Sequence, residues 1–445
     1  MKTLRNRRLF AVAVLIACGL ALLMVVLAGL TGYSPRLRLP AVGVLILGAV
    51  VLAPRQTLAM TPLIPAASAV SAIPVSAPFA VLGISCAVGA TTVVQATRRS
   101  VKISVFMAVS AVALVILHLA RPAEYADPVS NQTLLGVVAG LSVCAAAALA
   151  QPPRDLFLAA TALAGATFAL AAQTSGVFAT AGRTEAVLSQ NANGVGLACG
   201  LGIVATLGLV RFNMPKWSAP LAMGIAGINA LGLVVAQSQG AFVATGAGIV
   251  GVAWIRSKRN VVVLAALGSV VALGALIFLT PLGETLGGVV RNGDDLQGSR
   301  EVRWALLRAS IPLLWQNPVS GLGERYGRLT VDVPGLLSPF GEPLTPHNTL
   351  LSIGASFGLV ALVAFVVLGF RLAFRCGDDS DRQILLPLVL VYFCAIPTIE
   401  WHRIDLSFGF WLVAGLLLSN GRTEHSGASS SATRQPASLS RGRQP

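Results

Sequence analysis

Charged residues are scarce in this sequence. Only 11% of its 445 residues are charged, whereas 55% are hydrophobic. Soluble domains carry about 25% charged residues, so this shortfall excludes a water-soluble globular enzyme. Acidic residues are scarcer than basic ones. The sequence has 17 Asp and Glu against 32 Lys and Arg, which gives a net charge of +15. The composition predicts a polytopic membrane protein.

Cysteine and histidine are also rare. The six cysteines are scattered with no Cys-x-x-Cys spacing, which favours small core residues over disulfides or metal ligands. The sequence has no His-Glu-x-x-His motif, no phosphate-binding loop and no aspartate-rich metal cluster. We therefore expect no cofactor and no metal, and we expect neither ATP-driven chemistry in the cytoplasm nor the use of nucleotide sugars.

Long apolar runs divide the chain. Because a bilayer core needs roughly 20 apolar residues per helix, we predict an all-α polytopic transmembrane bundle of about 12–14 helices. The organisation predicted is transmembrane helices with short loops at 1–280, a long extracytoplasmic loop at 281–346, C-terminal transmembrane helices at 347–420 and a disordered cytoplasmic tail at 421–445. Runs begin near Leu9, Leu39, Thr57, Ala77, Val101, Thr133, Leu156, Gly194, Ser218, Ala241, Val261, His347, Ile384 and Ile404, and prolines interrupt the run at 57–76.

The distribution of basic residues predicts the orientation. With a cytoplasmic N-terminus and 14 alternating spans, 21 of the 32 Lys and Arg residues fall on the cytoplasmic side, including those of the tail. This is the positive-inside pattern of membrane proteins. It accounts for the basic balance without a nucleic-acid partner, and it predicts that both termini are cytoplasmic.

The predicted outer loop concentrates the polar residues. It holds seven of the 17 acidic residues and six arginines, interleaved with Trp304 and Trp315. The stretch from Arg300 to Arg308 has helical composition and would place Arg300, Arg303 and Trp304 on neighbouring faces of one turn. Two interpretations stay open: a helix that lies in the membrane surface and only anchors the loop, or a functional loop.

A helix start follows the loop. Thr345 suits the N-cap and Pro346 the first helical position, which would put His347 and Asn348 in the first turn. The positive end of the helix dipole disfavours a protonated imidazole, so we predict a largely neutral His347 that can act as a general base. The same helix end could hold phosphate oxygens. The alternative is a histidine that only decorates an interfacial helix start.

Three segments, in chain order, resemble the O-antigen ligase/polymerase family of polytopic membrane glycosyltransferases. The first is Gly182-Arg183 with Ser189-Gln-Asn-Ala-Asn-Gly194, and the second is Ser238-Gln-Gly-Ala241. The third comprises Gly298-Ser-Arg300 with Trp304, Asn317-Pro-Val-Ser-Gly-Leu-Gly323, and Pro346-His347-Asn348 before a long helix with Gly354 and Gly358. The resemblance is specific over about residues 180–370 and only topological elsewhere.

The resemblance implies an activity and a place. The family moves glycans from a polyprenyl-diphosphate carrier to an acceptor hydroxyl at the outer side of the bacterial cytoplasmic membrane, without metal or nucleotide. It implies a helical bundle with a cavity open to the outer leaflet under the long loop. Arg300 would hold the donor diphosphate, His347 would activate the acceptor or orient the reacting ends, and Arg183 matches a further basic position.

One position departs from the family pattern. Where the family has arginine after the serine or threonine of the second segment, this chain has Gln239. An amide carries no charge, and charge-assisted hydrogen bonds are roughly twice as strong as neutral ones. Arg183, Arg303 or Arg403 could substitute; otherwise the donor differs or the site is weakened. Asn348 and Trp304 complete the predicted substrate-binding residues, although Trp304 could equally be an interface anchor.

Two other functions compete with glycan transfer. A lipid-linked oligosaccharide flippase or other secondary transporter would suit many helices, but transporters place ionisable groups near the middle of the membrane, and these apolar runs contain almost none. A noncatalytic membrane scaffold is the third reading. Within the enzyme reading, ligation and polymerisation use the same donor and stay open, as do the sugar and the acceptor.

Overall fold

The structure, a computed structural model, describes residues 53–69, 77–92, 98–119, 128–174, 192–210, 218–236, 238–257, 305–322, 348–375, 385–395 and 404–419. These residues form helices and turns and include no strand. The helices are α1 Pro54–Ala59, α2 Leu63–Ala69, α3 Ala77–Thr92, α4 Arg98–Leu119, α5 Pro128–Ala150, α6 Arg154–Thr174, α7 Ala192–Leu209, α8 Ser218–Ala236, α9 Gln239–Ser257, α10 Leu313–Gln316, α11 Thr349–Phe357, α12 Leu359–Arg375, α13 Leu386–Ala395 and α14 Ile404–Ser419. Residues 305–310 form a further helical segment.

The helical class of the fold is confirmed. The interrupted run at 57–76 contains two short helices, α1 and α2, separated by a turn that ends at Pro62. Within the described ranges, Arg154–Ala171 of α6 is long and apolar enough to cross a membrane, by length and composition alone, and nine further apolar stretches are 10–17 residues long. The runs predicted from Leu9, Leu39 and Val261 lie outside the described residues. The number of spans, the boundaries of the long loop and the tail stay predictions.

Small residues let the helices approach closely. Gly202 on α7 and Gly165 on α6 both face Asn229 of α8, and a Cβ at either glycine would collide with its Oδ1. The buried Asn229 donates from Nδ2 to Ala162 O at 3.0 Å and to Ile225 O at 2.9 Å. Polar side chains between glycine-bearing faces are a common way to join membrane helices, and this contact ties α8 to α6 across α7.

The two helices that carry the first and second sequence segments pack side by side. Gly196 on α7 contacts Ala241 and Ser238, and Gly200 faces Thr245 one turn further along α9. Contacting residue numbers increase together along the two helices, so α7 and α9 pack in parallel and their N-termini lie at the same end of the bundle. Further along α9, Gly248 and Gly251 pack against α13.

The main hydrophobic core lies between α5, α6, α7, α13 and α14. Phe157, Phe410 and Leu388 are among its fully buried side chains, and Gly415 of α14 lets the backbone of Cys144 on α5 approach. Cys144 and Cys199 are buried as predicted. Cys86, on α3, is exposed instead.

Several of the described helices present large apolar side chains outward, α4 and α12 among them. On α4 the exposed residues include Val105, Phe106 and Val109, and on α12 they include Val360, Val363 and Phe370. Exposed apolar faces of this size are unfavourable in water and mark contact with lipid or with another protein. They agree with the membrane setting predicted from composition.

Candidate active site

The first and second sequence segments meet through a buried hydrogen bond. The Ser238 hydroxyl donates to Oδ1 of Asn193 at 2.8 Å, and both side chains are buried. Asn193 lies in the first turn of α7, and Ser238 directly precedes α9. A bond between residues 45 positions apart fixes the two helix starts relative to each other. The sequence placed both residues in motifs but did not predict that they touch.

Ser238 also sets the start of α9. Its hydroxyl oxygen accepts a hydrogen bond from the Ala241 backbone N–H at 3.2 Å, the pattern of an N-cap serine. Gln239 is consequently the first residue of α9. Its backbone lies where the N-termini of α7 and α9 are adjacent, and the positive ends of two helix dipoles favour an anionic group there.

Part of the predicted outer loop packs against the junction of α11 and α12, and both parts belong to the third segment. We call residues 305–322 the loop segment and its contact with the α11–α12 junction the seat. The Leu322 N–H donates to Ala355 O at 2.6 Å, and the Leu359 N–H donates to Pro318 O at 2.7 Å. Leu313 and Leu322 pack with Ala355 in a small buried cluster. The motif at 317–323 therefore anchors the loop segment to the helix pair.

Two glycines allow the backbones at the seat to meet. Gly321 has φ +69° and Gly358 has φ +89°, a region that residues with a Cβ rarely adopt. A Cβ at Gly358 would lie 2.6 Å from Pro318 O, and one at Gly321 would lie 2.5 Å from Phe357 N. The prediction of one long helix through Gly354 and Gly358 is wrong, because the chain breaks at Gly358 to receive the carbonyl oxygens of the loop segment.

The helix after the loop begins later than predicted. Asn348, not Thr345, is the N-cap of α11: its Oδ1 accepts from Leu350 N at 3.0 Å and from Leu351 N at 3.2 Å. His347 therefore precedes the cap instead of lying in the first helical turn. Threonine and asparagine are both good N-caps, so local preference did not decide between them. Asn348 was predicted to bind substrate. Its side-chain oxygen caps α11, whereas its amide nitrogen takes no part in the cap.

Substitutions at Asn348 separate capping from substrate binding. Asn348→Ala should lower stability by about 1 kcal/mol because the cap is lost, while Asn348→Ser and Asn348→Asp should keep wild-type stability. If the amide nitrogen binds an anionic donor, Asn348→Asp should lose transfer activity at least tenfold despite its intact cap. Thermal unfolding in detergent and a transfer assay measure the two effects. Activity in Asn348→Asp equal to that of Asn348→Ser would contradict a substrate contact.

A serine motif at the seat is structural. Gly354-Ala355-Ser356-Phe357-Gly358 matches the Gly-x-Ser-x-Gly pattern of hydrolase nucleophiles. That chemistry needs the serine exposed on a sharp turn from strand to helix. Ser356 is instead fully buried in the last turn of α11. The Ser356 backbone lies where a Cβ on Gly321 would collide with it, so this part of α11 serves packing at the seat.

A small cavity lies between α6, α7 and α14. It has a volume of about 40 Å³. Its lining includes Thr161, Gly165 and Phe408 and is otherwise apolar. This volume holds a few water molecules at most and is too small for a sugar ring. It is not the substrate cavity expected under the long loop.

The remaining predicted site residues lie outside the described part of the chain. They are Arg183, Arg300, Arg303, Trp304 and His347, together with the side chain of Gln239. Their convergence stays a prediction. The structure describes three elements next to these residues in the chain. They are the seat of the loop segment, which follows Trp304, the cap at Asn348, which follows His347, and the start of α9 at Gln239.

The fold and these motifs define a bundle of apolar helices with the seat of the loop segment at the junction of α11 and α12. A family model described as O-Antigen ligase matches residues 222–366, a stretch of 145 residues that contains the second and third sequence segments. The resemblance inferred from the motifs is thereby confirmed for this part of the chain. No curated protein matches the sequence.

The match carries a coarse functional assignment. The O-antigen ligase family is a family of membrane proteins whose activity is of the glycosyltransferase type, with a lipid-linked glycan donor and an acceptor. The first segment, at 182–194, precedes the match. The bond from Asn193 to Ser238 nevertheless attaches it to the matched region.

Proposed function

We propose that this protein transfers a glycan from a polyprenyl-diphosphate carrier to an acceptor hydroxyl on the extracytoplasmic side of the membrane. The observation that carries the proposal is the family match at 222–366. Ser238 at one end of this match bonds to the first segment, and Gly358 near its other end receives the loop segment. All three motif segments thus take part in one framework.

The chemistry needs cations and a base. The acceptor oxygen attacks the anomeric carbon, the bond from that carbon to the phosphate oxygen breaks, and negative charge develops on the departing diphosphate. Arg300, together with Arg303 and Arg183, would stabilise this charge through the forked, permanently charged guanidinium. His347 would accept the acceptor proton.

The seat limits how far apart these residues can lie. Leu314 contacts Gly354 across the seat. Residue 305 is nine positions from Leu314, along two helical segments joined by a turn at 311–312, and residue 348 is six positions from Gly354. At about 1.5 Å per residue these separations are about 13 Å and 9 Å. Chain connectivity thus keeps residue 305, two positions after Arg303, within a few helical turns of the cap at Asn348, which follows His347. This supports a shared site.

Transfer in detergent tests the proposal against transport. Purified protein incubated in detergent with a polyprenyl-diphosphate glycan and a hydroxyl acceptor should release polyprenyl diphosphate and form a glycosylated product. A flippase needs a sealed vesicle to act, whereas a transferase does not. Movement of the intact donor across vesicles without any transfer would overturn the proposal. A ladder of product lengths would indicate polymerisation, and a single addition would indicate ligation.

Gln239→Arg should raise turnover with a polyprenyl-diphosphate donor. A charge-assisted hydrogen bond exceeds a neutral one by about 1 kcal/mol, which corresponds to roughly a fivefold increase in kcat/KM. The position is suited to an anion because it opens α9 beside the start of α7. Gln239→Lys offers charge without the fork and should give a smaller gain. A decrease in kcat/KM would instead show that Gln239 suits a different donor.

A further inference from the structure

The loop segment has one buried face and one exposed apolar face. Leu306, Leu313 and Leu322 are buried, at 2%, 6% and 0% exposure. Ile311, Trp315 and Val319 are instead 45%, 68% and 58% exposed. Ile311 and Trp315 are about one helical turn apart, just before and within α10. Val319 follows after the chain leaves the helix at Asn317, and its backbone contacts Gly358 beside the start of α12. We call Ile311, Trp315 and Val319 the apolar ridge.

The apolar ridge continues into the exposed face of α12. The Leu359 N–H donates to Pro318 O at 2.7 Å, and Gly358 contacts Val319 O, so the backbones at the end of the ridge and at the start of α12 touch. From there the exposed residues on α12 are Val360, Val363, Val366, Val367 and Phe370. The two surfaces meet end to end.

We propose that the apolar ridge is a membrane-docking surface, occupied by phospholipid at the headgroup and upper acyl-chain level beside the start of α12. A membrane helix must turn its exposed apolar side to acyl chains, and the ridge extends that side beyond the helix end. Tryptophan is enriched at this depth because its ring is amphipathic. The exposed Arg308, one turn before Ile311, suits lipid phosphate. The loop segment is then held between the seat and the bilayer. This would keep the residues that directly precede it in the chain near a lipid-borne substrate.

The inference needs only the membrane setting and does not depend on glycan transfer. Three side chains are far fewer than the roughly 20–30 residues that a stable protein interface uses on each side, whereas continuity with α12 matches a single lipid boundary. The rival occupant is a second copy of the chain that covers α12 as well as the ridge, and the experiment distinguishes the two.

Fluorescence quenching in nanodiscs tests this occupant. The protein is reconstituted at one copy per disc in phosphatidylcholine with or without bromine on the acyl chains. The contribution of Trp315 is the difference between wild type and Trp315→Phe. In the Trp315→Phe background, tryptophan is then introduced singly by Ile311→Trp, Val319→Trp or Gln316→Trp. Gln316 is exposed but lies off the ridge, at its flank, so it is the matched control.

Brominated lipid should quench about half or more of the tryptophan signal at positions 311, 315 and 319. The signal at 316 should respond little to bromine and strongly to aqueous acrylamide. Equal quenching at all four positions, or none at the ridge, would overturn the proposal. So would ridge signals that ignore bromine but change when two copies share a disc, because that result assigns the ridge to a second copy. No outcome depends on enzymatic activity, so a failure here is separate from a failure of the proposed function.

Discussion

Arg300→Ala and His347→Ala are each expected to reduce glycan transfer to less than about a tenth of wild type while membrane insertion is unchanged. Loss of a hydrogen bond to a charged group costs about 1.5–3 kcal/mol, which is a 10- to 100-fold loss in rate. Removal of a general base costs about 10²- to 10⁴-fold. Both changes remove interactions that grow as the glycosidic bond breaks, so kcat should fall more than substrate affinity.

Two variants in the same region serve as controls. Arg308→Ala removes an exposed arginine of the loop segment and should keep nearly full activity, which shows that loss of positive charge alone is not responsible. Arg300→Lys keeps the charge without the fork and should recover part of the rate. Initial rates of polyprenyl diphosphate release, with yield and elution profile as measures of folding, provide the comparison. Activity above a tenth in either alanine variant would count against its assigned role, and a pH–rate profile without an ionisation due to His347 would remove its role as base.

Gly358→Ala should detach the loop segment and abolish most activity. The added Cβ would lie within 2.7 Å of the carbonyl groups of Pro318 and Val319, and neither backbone can move without breaking the seat. The positive φ adds about 1–2 kcal/mol of strain. Gly321→Ala meets the backbone of Ser356 and Phe357 from the other side and should have the same effect. We expect faster proteolysis within 305–322, a lower Tm, and at least a tenfold loss of transfer.

Gly227→Ala is the matched control for these glycine variants. Gly227 also lies within the family match, on α8, and a Cβ there meets nothing within 4 Å. It should leave Tm, proteolysis and activity unchanged or slightly improve stability, because alanine favours a helix. If Gly358→Ala behaves like Gly227→Ala, the seat is not required for function. If the Gly358 variant is cleaved faster yet keeps full activity, the loop segment does not position the catalytic residues.

Local sequence signals predicted the elements that depend on neighbouring residues alone. The scarcity of charge and the length of the apolar runs predicted helices and excluded a soluble enzyme, and Pro62 marked the break between α1 and α2. The motif segments predicted the family, because the side chains and glycines of each motif can be read directly from the sequence. The match at 222–366 bears out that prediction.

Contacts between distant residues decided the rest. The break at Gly358 depends on a distant contact, because the Leu359 N–H donates to the carbonyl of Pro318, about forty residues earlier, where α11 ends. Thr345 and Asn348 are nearly equal as caps in a local comparison, so local preference could not select the helix start. In the same way Ser238 and Asn193 were each recognisable in their motifs. That they bond to each other follows from the close packing of α7 on α9, which only the folded chain provides.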